Sequence, residues 1–233
     1  EGRLGGAKVT AGRYHEELVG GDSDVYSNRI DGIKAQYGKK VRLMGWYGKM
    51  AKLASATSLG PWPGDKKSWG AHVGFDIGKA ADLFVGYDEL ENRNDAKRKI
   101  FDVGANAKIG AVKATAIYLH GKNGGTAVDG ANDKKNGFTF QLAVAAKPGS
   151  WGFLAKYYDL GNLTYADPAT FTAKGALAPT AHATNGGFKG YRLSADYTVA
   201  KNMVSRVSYF DLKDKEGTKA KAKTFYGELI VTF

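Results

Sequence analysis

Apolar and polar residues alternate one by one through most of this chain. In Trp69-Gly70-Ala71-His72-Val73-Gly74-Phe75-Asp76-Ile77 every odd position is apolar and every even one is small or polar. Phe138-Thr139-Phe140-Gln141-Leu142-Ala143-Val144 and Tyr191-Arg192-Leu193-Ser194-Ala195-Asp196-Tyr197-Thr198-Val199 repeat the pattern. Phe101, Val103, Ala105, Ala107 and Ile109 likewise alternate with Asp102, Gly104, Asn106 and Lys108. Side chains of a strand point to opposite faces in turn, so a period of two predicts strands with one apolar and one polar face. No helix-period stripe competes. The pattern predicts about twelve strands, over 6–14, 29–37, 41–49, 69–78, 81–89, 97–108, 111–120, 136–147, 150–159, 187–199, 202–212 and 221–233.

The connections sort into two kinds. Short turns such as Gly38-Lys39-Lys40, Gly78-Lys79-Ala80 and Lys147-Pro148-Gly149-Ser150 alternate with long polar segments at 15–28, 50–68, 90–96, 121–135, 160–186 and 213–220. Transmembrane barrels have this asymmetry, with short turns on the periplasmic side and long loops outside. The fold class expected is therefore all-β, an antiparallel transmembrane β-barrel forming one domain over 1–233. In hydrocarbon an unpaired backbone N–H or C=O costs several kcal/mol, so a sheet spans only by closing on itself. No run of about 18 apolar residues is present, which excludes a spanning helix and leaves strands of roughly 9 to 11 residues as the spanning element.

The last segment, Phe225-Tyr226-Gly227-Glu228-Leu229-Ile230-Val231-Thr232-Phe233, places Phe225, Leu229, Val231 and Phe233 on the apolar face. An alternating strand closing on an aromatic resembles the signal by which the barrel-assembly machinery recognises its clients. With an even strand number, both termini fall on the periplasmic side of a bacterial outer membrane. Two aromatic girdles at the headgroup levels are expected. Tyr47, Trp69, Tyr87, Tyr118, Tyr157 and Tyr209 supply the outer one; Tyr37, Trp151, Tyr197 and Phe233 the inner one.

The opposite strand face is too polar for a dry core. It predicts pore-lining residues Lys8, Lys34, Arg42, His72, Asp76, Asp82, Asp102, Lys113, Lys156, Arg192, Asp196, Arg206 and Glu228, with Asn106, Gln141 and Ser194 among them. A water-filled passage for small hydrophilic solutes and ions follows. Basic residues on this face outnumber acidic ones slightly, which predicts a weak anion preference.

Composition changes this picture little. Glycine, at 32 of 233 residues, is about twice the ordinary ~7 % share and suits tight turns. There is no cysteine, so neither a disulfide framework nor a thiolate metal site is available. The net charge of +11 is spread along the chain, which argues against a nucleic-acid patch. Loop lysines such as Lys134, Lys135, Lys213 and Lys219 suit anionic lipopolysaccharide headgroups. The chain opens without Met or an export signal, so Glu1 reads as the start of a processed or truncated product.

Residues 6–42 carry Val9-Thr10-Ala11-Gly12-Arg13-Tyr14, an acidic stretch, and Asn28-Arg29-Ile30-Asp31-Gly32-Ile33-Lys34. This hairpin resembles the porin part of the S-layer-homology tether porins of Gram-negative Firmicutes. The resemblance implies the C-terminal part of a sixteen-stranded porin, about four strands and a wall-binding domain preceding Glu1. It also makes 15–28 the third outer loop, which folds inward in general porins; Glu16, Glu17, Asp22 and Asp24 would then face basic wall residues across a constriction. A homotrimer is the analogous assembly.

Other chemistry finds little support in the sequence. His15, His72, His120 and His182 have no spacing that puts two on one face beside a carboxylate, and no metal site or cofactor is expected. His72 and Asp76 share a strand face but stand about 13 Å apart at ~3.3 Å per residue, so an enzyme is not expected. Two other readings stay open. One is a barrel that anchors a cell-wall tether; the other is a complete twelve-stranded translocator or oligosaccharide channel.

Overall fold

A computed structural model describes residues 1–18, 27–50, 65–127, 133–165, 187–215 and 221–232. They form one antiparallel sheet of thirteen strands in chain order, each hydrogen-bonded to its neighbours in sequence. A short β1 (Gly2–Leu4) precedes the twelve expected strands. These are β2 (Ala7–Glu17), β3 (Ser27–Gly38), β4 (Val41–Met50), β5 (Ser68–Ile77), β6 (Ala81–Glu91), β7 (Ala96–Ile109), β8 (Val112–Gly125), β9 (Asn136–Val144), β10 (Trp151–Leu160), β11 (Phe188–Ala200), β12 (Met203–Asp214) and β13 (Lys221–Val231). The ladders run from β1 to β13, with no β1–β13 pairing among the described residues.

Tight turns enforce the antiparallel order, since strands joined by so few residues can only fold back on one another. Gly38 shows what such a turn demands. Its φ of +95° is left-handed, and a Cβ there would stand 1.9 Å from the Val41 carbonyl oxygen, so only glycine fits. Strands β6 and β7 are also joined tightly, where the sequence suggested a longer loop at 90–96. The Asn92 side chain accepts the amide N–H groups of Asn94 (2.9 Å) and Ala96 (3.1 Å), while Asp95 holds a φ of 60°. An Asn side chain standing in for backbone makes four residues sufficient.

The sheet is turned inside out over most of its height. Ile33, Leu43, Phe75, Leu83, Val103, Leu142, Phe153, Leu193 and Leu229 are exposed on one face, the outer face of the expected barrel. Trp69 and Tyr87 stack at 5.3 Å near the long-loop ends, and Trp151 and Tyr197 at 5.1 Å near the short-turn ends. Each pair consists of residues expected at one of the two girdles. Phe233 lies outside the described residues.

Toward the long loops this phase reverses. Outward positions become charged and cross-strand paired: Arg13 donates twice to Asp31 (2.6 and 2.8 Å), Lys97 meets Glu89 at 2.5 Å, and Lys215 meets Asp159 at 2.5 Å. The adjoining inward positions Ile30, Met50, Leu90, Ile100, Leu160, Phe188 and Leu212 form a buried apolar cluster. This is the exchange of faces expected of a barrel strand that leaves hydrocarbon for water, where the outer side no longer meets lipid.

A segment of the β10–β11 connection completes that cluster. Leu163 and Tyr165 are buried, and the Tyr165 ring packs on Phe188 at 5.7 Å. The Arg98 guanidinium donates to the carbonyls of Asn162 (2.8 Å) and Tyr165 (3.2 Å). A Cβ on Gly121 would stand 1.9 Å from the Leu163 carbonyl oxygen; the missing side chain lets the segment lie against β8.

Candidate functional site

The inner wall has three parts, stacked from the short turns toward the long loops. Nearest the turns are hydrogen-bonded ladders of mixed charge. Arg42 pairs with Asp76 and reaches Asp82 at 3.3 Å. Asn106 donates to Asp82 at 3.1 Å, and Thr115 to Asn106 at 2.7 Å. One chain of polar contacts therefore crosses β4 to β8. On the far side the Arg206 guanidinium grips Asp196 through two 2.8 Å bonds and touches Glu228 at 3.2 Å. Alternation places each of these side chains inward, and register places them side by side. A cavity of about 1090 Å³ bordered by Asp76, Asp82, Lys113 and Asp196 occupies this end.

Above it come cations seated on aromatic rings. The Lys34 ammonium lies 5.0 Å from the Tyr14 ring centroid, Lys156 lies 5.0 Å from Tyr158, and the Arg192 guanidinium 5.3 Å from Phe210. Each ring belongs to the apolar cluster or packs against it. The polar heads thus mark where the hydrophilic wall gives way to the apolar one. Arg192 also donates to the hydroxyls of Ser194 (2.9 Å) and Ser208 (3.3 Å), and Lys34 pairs with Glu16.

Between these parts, on β5 to β7, the wall carries a buried cluster. His72 Nε2 stands 3.0 Å from Asp88 Oδ1, and Trp46 Nε1 donates to the same oxygen at 2.8 Å. Asp102 is 0 % exposed. Neither of its carboxylate oxygens has a hydrogen-bond partner, nor does Asp88 Oδ2. Ligand atoms of His72, Asp88 and Asp102 all lie within 4.8 Å of one another. Histidine spacing along the sequence gave no sign of this cluster. Its members come from three strands, and the register His72↔Gly86↔Asp102 brings them together.

The remaining candidates divide. Lys8 pairs with Glu1 at 3.1 Å near the start of the sheet. Glu16 and Glu17 are strand residues and not part of a constriction loop, because the β2–β3 ladder continues through Glu16↔Asn28 and Glu17↔Ser27. Glu16 is held by Lys34 on the adjacent strand, so it does not oppose that lysine across a passage. Asp22 and Asp24 lie outside the described residues. Leu18, the residue after β2, is buried in the apolar cluster. Phe225, Leu229 and Val231 project outward from β13 as expected.

The fold so defined, one antiparallel sheet of thirteen strands in chain order, resembles that of porin barrels. The sequence matches no family model and no curated protein. Among solved structures it resembles Pseudomonas aeruginosa OccK1 (OpdK), with a TM-score of 0.61 at 10 % identity, covering 97 % of this chain and 66 % of that one. It resembles P. aeruginosa OccK9 (OpdG) with a TM-score of 0.59 at 9 % identity, covering 97 % and 63 %. An anion-selective porin from Comamonas acidovorans gives 0.56 at 14 % identity, covering 87 % and 55 %. The chain thus spans less than two thirds of the length of each of these three. At such identities the likeness establishes the fold.

Proposed function

We propose that this chain forms the wall of a bacterial outer-membrane channel for passive diffusion of small hydrophilic solutes and ions, with a weak preference for anions and without chemistry of its own. The observation that carries the reading is the inward Arg192, seated on the Phe210 ring where the polar wall ends and donating to the neutral hydroxyls of Ser194 and Ser208. Cations held at the transition into a low-dielectric region attract counter-ions more strongly than the same charges in bulk water. The ladders nearer the turns, like the Lys34–Glu16 pair, hold acid and base in contact and add little net field.

In this reading the short turns and the end of β13 face the periplasm, and the charged outward band meets lipopolysaccharide headgroups. Phe225, Leu229 and Val231 present the assembly signal, and the oligomer is a trimer by analogy with general porins. The resemblance to the tether porins rests on the hairpin that forms β2 and β3, and tethering would be a second role of the same barrel. The test is the reversal potential of single channels in a salt gradient across a planar bilayer. Anion selectivity that declines when Arg192 is replaced by Gln supports the proposal; cation selectivity, or no conductance, contradicts it.

A further inference from the structure

We propose that His72, Asp88 and Asp102 bind a divalent transition-metal ion of the Zn²⁺ or Co²⁺ class on the inner wall of the barrel. Two carboxylates and an imidazole are a donor set these ions accept, and three protein ligands leave a position open for water. The ligand atoms lie within 4.8 Å of one another. Metal–ligand distances of about 2.1 Å require separations near 3.4 Å in a tetrahedron, and His72 Nε2 and Asp88 Oδ1 already stand at 3.0 Å. Small side-chain rotations close the remainder.

The second observation is the state of the carboxylates. Asp102 is fully buried with both oxygens unpartnered, and Asp88 keeps one oxygen unpartnered. Burying such groups without a partner costs several kcal/mol. A cation among them removes that cost.

The wall is also shaped around this point. A Cβ on Gly86 would come within 2.3 Å of Asp102 Oδ1 and of His72 Nδ1, and one on Gly70 within 2.0 Å of Asp88 Oδ1. Any side chain at either position would push the ligands apart. Trp46, donating to Asp88 Oδ1, is the outer partner that orients a ligating carboxylate. Entry is available from a cavity of about 1010 Å³ that His72 lines.

This inference does not depend on conduction: the site would hold its ion in a barrel that passes nothing. The full chain in detergent is titrated with Co²⁺, followed by visible absorption, and with Zn²⁺, followed by the thermal unfolding midpoint. One ion per chain is expected, with tetrahedral or five-coordinate Co²⁺ bands, displacement by Zn²⁺ and a raised midpoint. Asp102→Asn is isosteric and removes an unpaired charge, so it is expected to fold at least as stably without metal. With metal it should weaken binding by at least about tenfold and abolish the Zn²⁺ shift. Gly86→Ala keeps every ligand and should weaken binding through space alone. Absence of binding at millimolar metal, or Zn²⁺ affinity unchanged in Asp102→Asn and His72→Ala, overturns the proposal; the cluster would then be carboxylates sharing a proton.

Discussion

The turn end and the loop end of the same strands are built on opposite plans. Near the turns, apolar residues such as Phe75, Leu83 and Phe153 face out and Arg42, Asp82 and Arg206 face in. Near the loops, Asp31, Glu89 and Asp159 face out, and Ile30, Leu90, Leu160 and Phe188 pack inside against Leu163 and Tyr165. A strand has only two faces, so the medium on its outer side decides what the inner side holds. Within lipid the outer face must be apolar and the lumen is left polar. Beyond it the sheet folds like a water-soluble one around a dry core.

Substitutions can break this contrast. The largest effect is expected in the loop-end core: Phe188→Ala removes a buried ring that packs on Tyr158 and Tyr165 and should cost about 3–5 kcal/mol, read from urea unfolding in detergent or vesicles. If the loop-end core also narrows the passage, conductance should rise in the same variant.

Next comes the boundary itself. Leu193→Arg puts a charge on the lipid face between Tyr191 and Tyr197 and should cost about 2–4 kcal/mol in vesicles. Lys189→Leu, four residues nearer the loop end on the same outward row, should change stability by less than about 0.5 kcal/mol. Equal costs at the two sites would erase the boundary.

At the turn end, Arg206→Ala leaves Asp196 and Glu228 without their shared guanidinium. Stability should fall by about 1 kcal/mol or less, since the pair is partly solvated. The reversal potential should move toward cation selectivity. An unmoved potential would mean that ions do not pass this ladder.

The smallest effect concerns the loop-end rim. Lys66 bridges Glu91 at 2.9 Å and also pairs with Asp95. Its hydrogen bond and charge hold the Asp95 carboxyl below the usual carboxylate range. A depressed folded pKa gives stability that is present above the unfolded value and lost as pH falls through the folded one. The β6–β7 turn should therefore loosen below about pH 4, seen as faster amide exchange at Asn94 and Asp95. Asp95→Asn should remove that pH dependence.

Much of the fold was legible because period-two alternation is a local signal. All twelve expected strands are present, and the outward set from Ile33 to Leu229 follows directly from it. The phase reversal was also written in the sequence. Phe210-Asp211-Leu212 and Phe188-Lys189 carry apolar residues at even positions, where the neighbouring segments carry polar ones. It passed unread because a single strand phase was carried to every strand end. The His72–Asp88–Asp102 cluster had no local signature at all, since register across three strands creates it. Glu16 and Glu17 read as loop because acidic residues suit loops; the β2–β3 ladder carries them as strand.

The absence of cysteine makes the central claim directly measurable. Single cysteines placed along β11 from 189 to 199, in the full chain in lipid vesicles, can be labelled with a nitroxide and tested against oxygen and a water-soluble nickel chelate. The account predicts preferential oxygen access at Leu193→Cys and Ala195→Cys, chelate access at Arg192→Cys and Asp196→Cys from the lumen, and chelate access at Lys189→Cys beyond the lipid. Equal chelate access along the outward row from 191 to 199 would contradict it, because those positions would then lie in water and the sheet would not span a membrane.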